Sequence, residues 1–116
     1  YGMNKERKNM NYETALENLM DGIKQDYSKW MSSPDMIERF NSTLTLVTNG
    51  RKYDKIMNGS SVWGFIAKTD GILKGIPYQK GDVFKAASWR GPAKHQRGNI
   101  FNGNHGYYQW TGPKYL

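Results

Sequence analysis

TLTLVTNGRKYDKIM, residues 43–57, is where the chain changes its period. Before it, apolar residues recur at spacings of three and four; within it Leu44 and Leu46 alternate with threonines, and Asn49-Gly50 interrupts the run. Alternation sends successive side chains to opposite faces of a strand, and Asn-Gly between two such runs is the strongest short hairpin signal. The stretch predicts strands at 43–48 and 51–57 joined by a tight turn. It divides a helical N-terminal segment, about 11–41, from a β-rich segment, about 43–116.

Upstream, Tyr12, Leu16, Leu19, Met20, Ile23, Tyr27 and Trp30 line one face of an amphipathic helix, with Asn11 as its N-cap and Glu13 and Glu17 near the positive end of its dipole. Gly22 weakens the helix interior. Ser33-Pro34-Asp35 starts a second, short helix to about residue 40, because serine caps, proline fits the first helical position and an acid suits the first turn. Met36 or Ile37 is expected to be buried with Phe40, the two helices forming a hairpin that covers one side of the strands.

Downstream, Asn58-Gly59 marks a second hairpin into 61–68, which carries Val62, Trp63, Phe65 and Ile66. Thr69-Asp70-Gly71 turns into a strand at 72–78 broken by Gly75 and Pro77, and Lys80-Gly81-Asp82 turns into another at 83–89. Residues 99–101 and 107–110 are the last strand candidates. The fold class is α+β in a single domain: an N-terminal helical pair packed on a small C-terminal antiparallel β-sheet or partly open barrel.

The 116 residues hold no cysteine, which excludes a disulfide framework and thiolate metal sites, and no run approaches the length of a bilayer span. Nor does an apolar h-region follow the N-terminal charges. The chain is expected to be a cytoplasmic protein without a membrane partner. Its net charge of +7 is unevenly placed: residues 1–42 hold six Lys or Arg against seven Asp or Glu, and residues 43–116 hold eleven against Asp54, Asp70 and Asp82. Such an excess favours a polyanionic partner.

The most basic stretch is WRGPAKHQRGN, residues 89–99, with Arg90, Lys94, His95 and Arg97 and no acid. Its glycines and proline predict a loop at 90–98, where arginine forks, a lysine and close backbone N–H groups suit phosphate. Aromatics interleave with cations around it: Arg51 and Lys52 beside Tyr53, Lys85 beside Phe84, Trp89 beside Arg90, then Tyr107 and Tyr108. Single-stranded nucleic acid is held by base stacking on exposed rings while cations follow the backbone. Trp63, Phe65, Phe84 and Phe101 are expected in the core, which leaves Trp89, Tyr107 and Tyr108 to stack.

Three functions compete. Composition favours non-catalytic binding of RNA or single-stranded DNA, without cofactor or metal. The same exposed aromatics and arginines would also serve a protein-binding inhibitor, because Trp, Tyr and Arg anchor protein interfaces too. The third is a ribonuclease in which His95 and His105 act as general base and acid. Asp70 and Asp82 read as turn residues rather than metal ligands.

Over residues 50–116 the order GRKYDKI, SVWGFI, KGDVFKAASWRGPAKHQRGNIF, YYQWTGPKYL resembles small accessory or early proteins of tailed bacteriophages and related mobile elements. The resemblance implies a phage early or counter-defence factor in the host cytoplasm, binding nucleic acid or blocking a host enzyme, defence or toxin component. It assigns no residue a role.

Overall fold

The structure, a computed structural model, describes residues 11–101, 108–109 and 111–113. Helix α1 spans Tyr12–Trp30 and α2 spans Pro34–Thr43. Asn11 caps α1, its side-chain oxygen accepting from the Thr14 backbone N–H at 2.8 Å, and the Ser33 hydroxyl oxygen accepts from Met36 N–H at the start of α2. Ala15, Leu16, Leu19, Ile23 and Tyr27 form the buried stripe of α1. Phe40 of α2 stacks on Tyr27, ring centroids 4.1 Å apart and planes within 11°, which closes the helical hairpin. Ile37 packs beside it, whereas Met36 is exposed.

The strands are β1 (Leu44–Val47), β2 (Tyr53–Asn58), β3 (Ser61–Ala67), β4 (Gly71–Leu73), β5 (Ile76–Tyr78), β6 (Asp82–Ala86), β7 (Pro92–Asn99), β8 (Tyr108–Gln109) and β9 (Gly112–Pro113). Five of them form one antiparallel sheet in the order β1-β2-β3-β6-β7, open at both edges and not closed into a barrel. The fold is α+β, as the change of period predicts.

Three local expectations change. Residues 72–78 are not one interrupted strand: Lys74 (φ 50°) and Gly75 (φ 82°) turn the chain back, so β4 and β5 pair with each other outside the main sheet. A glycine in the left-handed region and a solvent-exposed lysine make that turn, which a strand reading of the same letters misses. Residues 48–52 form a five-residue connection rather than a two-residue Asn-Gly turn. Most consequentially, residues 90–98 are not a loop, because Pro92–Asn99 is edge strand β7. Pro92 occupies its first position, where the missing N–H costs no ladder bond, and two irregularities in the pairing with β6 accommodate the rest.

Alternation gives the sheet two different faces. Leu44, Ile56, Ile66, Val83 and Ile100 pack under α1 and α2 with Trp63. Phe65, Ala67 and Phe84 point the other way and are partly covered by Tyr78 of the β4–β5 hairpin, with Tyr53 alongside. Trp63, Phe65 and Phe84 are core residues as expected, but Phe101 is 37% exposed. Asp70 lies in the turn after β3 and accepts from Lys80 N–H, whereas Asp82 is the first residue of β6 and accepts from Gln79 N–H and the Asn99 amide.

One charge is buried on the helix side. Asp54, 3% exposed, accepts a 2.7 Å hydrogen bond from the Tyr12 hydroxyl and lies 3.3 Å from the Lys68 ammonium. Burial above all, then the hydrogen bond to Asp54 and its charge, push the Tyr12 phenol well above the usual tyrosine range. Burial and then Tyr78 raise Tyr53 in the same direction. The fold thus holds both phenols neutral. A raised folded-state value means that this stabilisation is complete below about pH 10, where tyrosine titrates in the unfolded chain, and is lost as pH rises beyond it. Urea unfolding is expected to show stability falling above about pH 10. Tyr12→Phe should lower stability at neutral pH by about 1–3 kcal/mol, because Asp54 loses a donor, and should flatten the alkaline decline.

Candidate nucleic-acid interface

The side chains of β2 alternate so that Asp54 and Ile56 face the helices while Tyr53 and Lys55 face away. The cross-strand register places Lys55 between Val47 of β1 and Phe65 of β3. Two loops rise beside this position. The first, residues 48–52, presents Arg51 and Lys52. The second, residues 87–91, is pinched by hydrogen bonds from the N–H groups of Ala87 and Ser88 to the Gly91 carbonyl, and presents Trp89 and Arg90.

Between these loops lies an open cleft of about 390 Å³ whose floor is Tyr53 and Phe65 and whose walls carry Arg51, Lys52, Lys55 and Arg90. No acidic residue lines it. Lys55 joins its two sides: its ammonium donates to the Trp89 carbonyl at 3.2 Å and sits 4.5 Å from the Trp89 ring centroid and 6.0 Å from that of Phe65. Such cation–π contact holds an exposed indole in place at modest cost. Trp89 remains 54% exposed. Arg51, Lys52 and Arg90 are exposed, and their side chains make no ion pair among the described residues.

The basic residues of the expected loop are therefore divided. Arg90 lines the cleft, and Trp89 stands beside it over Lys55, whereas Lys94, His95 and Arg97 belong to β7, three strands from β2 and so about 14 Å away at ~4.8 Å per strand. Lys94 and His95 are exposed there and Arg97 is half-buried. Lys85, half-buried on β6, alternates to the face opposite Phe84 and Ala86 and is not part of the cleft. Tyr107 and His105 lie outside the described residues, and only the backbone of Tyr108 is described. Among the described residues no group of three or more His, Asp or Glu could hold a metal ion, and no helix is long and apolar enough to cross a membrane.

Lys55 is the cleft residue that sequence reasoning passes over. Its signal is nonetheless present, since it stands two positions after Tyr53 in an alternating strand and must share that residue's face.

A family model matches residues 2–116. The chain belongs to a family of unknown function, DUF7717. No curated protein and no solved structure matches it. The family description names no activity, so the functional reading rests on the cleft itself.

The shape of the first loop depends on Gly50, where a β-carbon would stand 2.5 Å from the Tyr53 carbonyl oxygen, too close for any real contact. Gly50→Ala is expected to displace the loop and to destabilise the fold by about 1–3 kcal/mol, the usual cost of overpacking a tight site, in urea unfolding.

Proposed function

We propose that the chain is a non-catalytic binder of single-stranded nucleic acid, RNA or DNA, and that the strand crosses the cleft between loops 48–52 and 87–91. The observation that carries this reading is the composition of that cleft: four cations from three segments and no acid, around an aromatic floor and beside an exposed tryptophan. Arg51 and Arg90 offer planar forks to phosphate oxygens, and Lys52 and Lys55 supply point charges. Lys55 covers one face of the Trp89 ring, and a base stacks on the other. Paired bases cannot offer their faces in this way, which favours a single strand over a duplex. Lys94 and His95 on the exposed edge extend the positive surface beyond the cleft.

Charge distribution supports the same reading. The helices, which carry Glu13, Glu17, Asp21, Asp35 and Glu38 as exposed acids, cover the opposite face of the sheet, so their field is kept away from the cleft. An approaching polyanion meets an acid-free cationic cleft on one side of the molecule and, on the other, helices whose six acids outnumber Lys24, Lys29 and Arg39, an arrangement that orients the encounter.

Fluorescence anisotropy with labelled single-stranded RNA and DNA at several salt concentrations tests the proposal. Three or four phosphate contacts predict a slope of log K against log salt of roughly −2 to −3, at about 0.7 per contact for a single strand. Trp89→Ala is expected to cost about 1–3 kcal/mol of binding free energy. Arg90→Ala should reduce the salt slope by about 0.7. No measurable binding at low salt overturns the proposal, and a partner retained from nuclease-treated extract would favour a protein-binding role instead.

A further inference from the structure

The loop that presents Arg51 and Lys52 has no strand pairing of its own, yet it is held at three points by one residue on the other side of the sheet. Lys68, immediately after β3, donates its backbone N–H to the Lys52 carbonyl at 2.9 Å. Its ammonium donates to the carbonyls of Thr48 at 2.6 Å and Gly50 at 2.5 Å, and lies 3.3 Å from the Asp54 carboxylate. An ammonium has three protons. Two of them go to those carbonyls while the charge is neutralised by Asp54, and Lys68 lines a separate cleft beside Tyr12 and Asp54, not the basic one.

We infer that Lys68 is a positioning residue for the basic cleft: anchored by buried Asp54, it clamps the carbonyls of residues 48, 50 and 52 and thereby fixes where Arg51 and Lys52 stand before any ligand arrives. The inference rests on the nucleic-acid reading of the cleft and adds a residue that touches neither phosphate nor base. Pre-ordering of this kind removes the entropy of loop ordering from the binding step. It also links α1 to the cleft, because Tyr12 of that helix holds the other oxygen of Asp54.

Lys68→Met alone would strand a buried carboxylate and endanger the fold. The test therefore uses Asp54→Asn/Lys68→Met, which removes both charges, keeps an acceptor for Tyr12 and leaves the net charge at +7. A second variant, Lys68→Arg, keeps a positive charge opposite Asp54 but replaces three divergent donors on one nitrogen by a wider planar fork, which does not reproduce the convergence of the carbonyls of residues 48 and 50 on a single ammonium. The readouts are affinity for a labelled single-stranded RNA, cooperative thermal unfolding and amide hydrogen exchange of residues 50–52.

Both variants are expected to fold, to exchange the loop amides faster and to bind more weakly, the double variant by about tenfold, the equivalent of ordering one loop residue's backbone. In an Arg51→Ala/Lys52→Ala background the same changes should cost nothing further, because the loop then has no cations to place. Wild-type affinity in the folded double variant, or an equal loss in both backgrounds, overturns the positioning role while leaving the cleft reading intact. Failure of the wild-type protein itself to bind any single strand overturns the cleft reading, and the positioning role with it.

Discussion

A carboxylate buried under a helix layer is the constraint around which the molecule is arranged. Asp54 lies among Ile56, Ile66 and Leu16 on the helix side of β2, where an unpaired charge would be untenable. Its two oxygens are met by side chains from different elements, the Tyr12 hydroxyl at the start of α1 and the Lys68 ammonium at the end of β3. Because a hydrogen bond to a buried charge tolerates little displacement, the Tyr12 bond sets the position of the helix against the sheet, and the Lys68 ion pair neutralises the carboxylate. Lys68 then passes the constraint to the 48–52 loop. One polar cluster in an otherwise apolar layer thereby fixes features on both faces.

The two faces of the sheet do different work. The helix side is a continuous apolar layer with α1 and α2 seated on it. The other side is covered only in part, by the short β4–β5 hairpin through Tyr78 and Leu73, so Tyr53 and Phe65 extend from that small core to the floor of the cleft. An aromatic floor flanked by exposed cations follows directly from incomplete covering: the same ring edge that packs against Tyr78 and Phe84 on one side borders solvent on the other. The charge asymmetry of the chain becomes a spatial asymmetry, since the acid-bearing helices occupy the face that the cleft does not.

Local signals were legible wherever the structure depends on local chemistry. Asn11 and Ser33-Pro34 mark the helix starts because capping is decided within three or four residues, and the burial of Leu16, Leu19, Ile23 and Tyr27 follows from helical periodicity alone. Strands β1 to β3 were legible for the same reason. The failures have a common cause in tertiary pairing. Residues 92–99 have glycine, proline and five polar side chains and read as a loop, but the free edge of β6 supplies hydrogen bonds that no local pattern announces. Asn49-Gly50 signals a two-residue turn, yet Lys68, almost twenty residues downstream, draws the loop carbonyls into a longer connection.

By itself, then, the sequence determined a helical pair followed by antiparallel strands and a basic β-rich segment, since each depends on residue type and short-range spacing, whereas the exposure of Trp89 was decided by the fold. Only the tertiary structure decided which cations meet. Arg90 comes to Arg51, Lys52 and Lys55 because a bent loop leans from β6 toward β2, while Lys94, His95 and Arg97 are carried to the far edge by β7. Strand order sets those distances through contacts between residues far apart in the chain, and no local pattern encodes them.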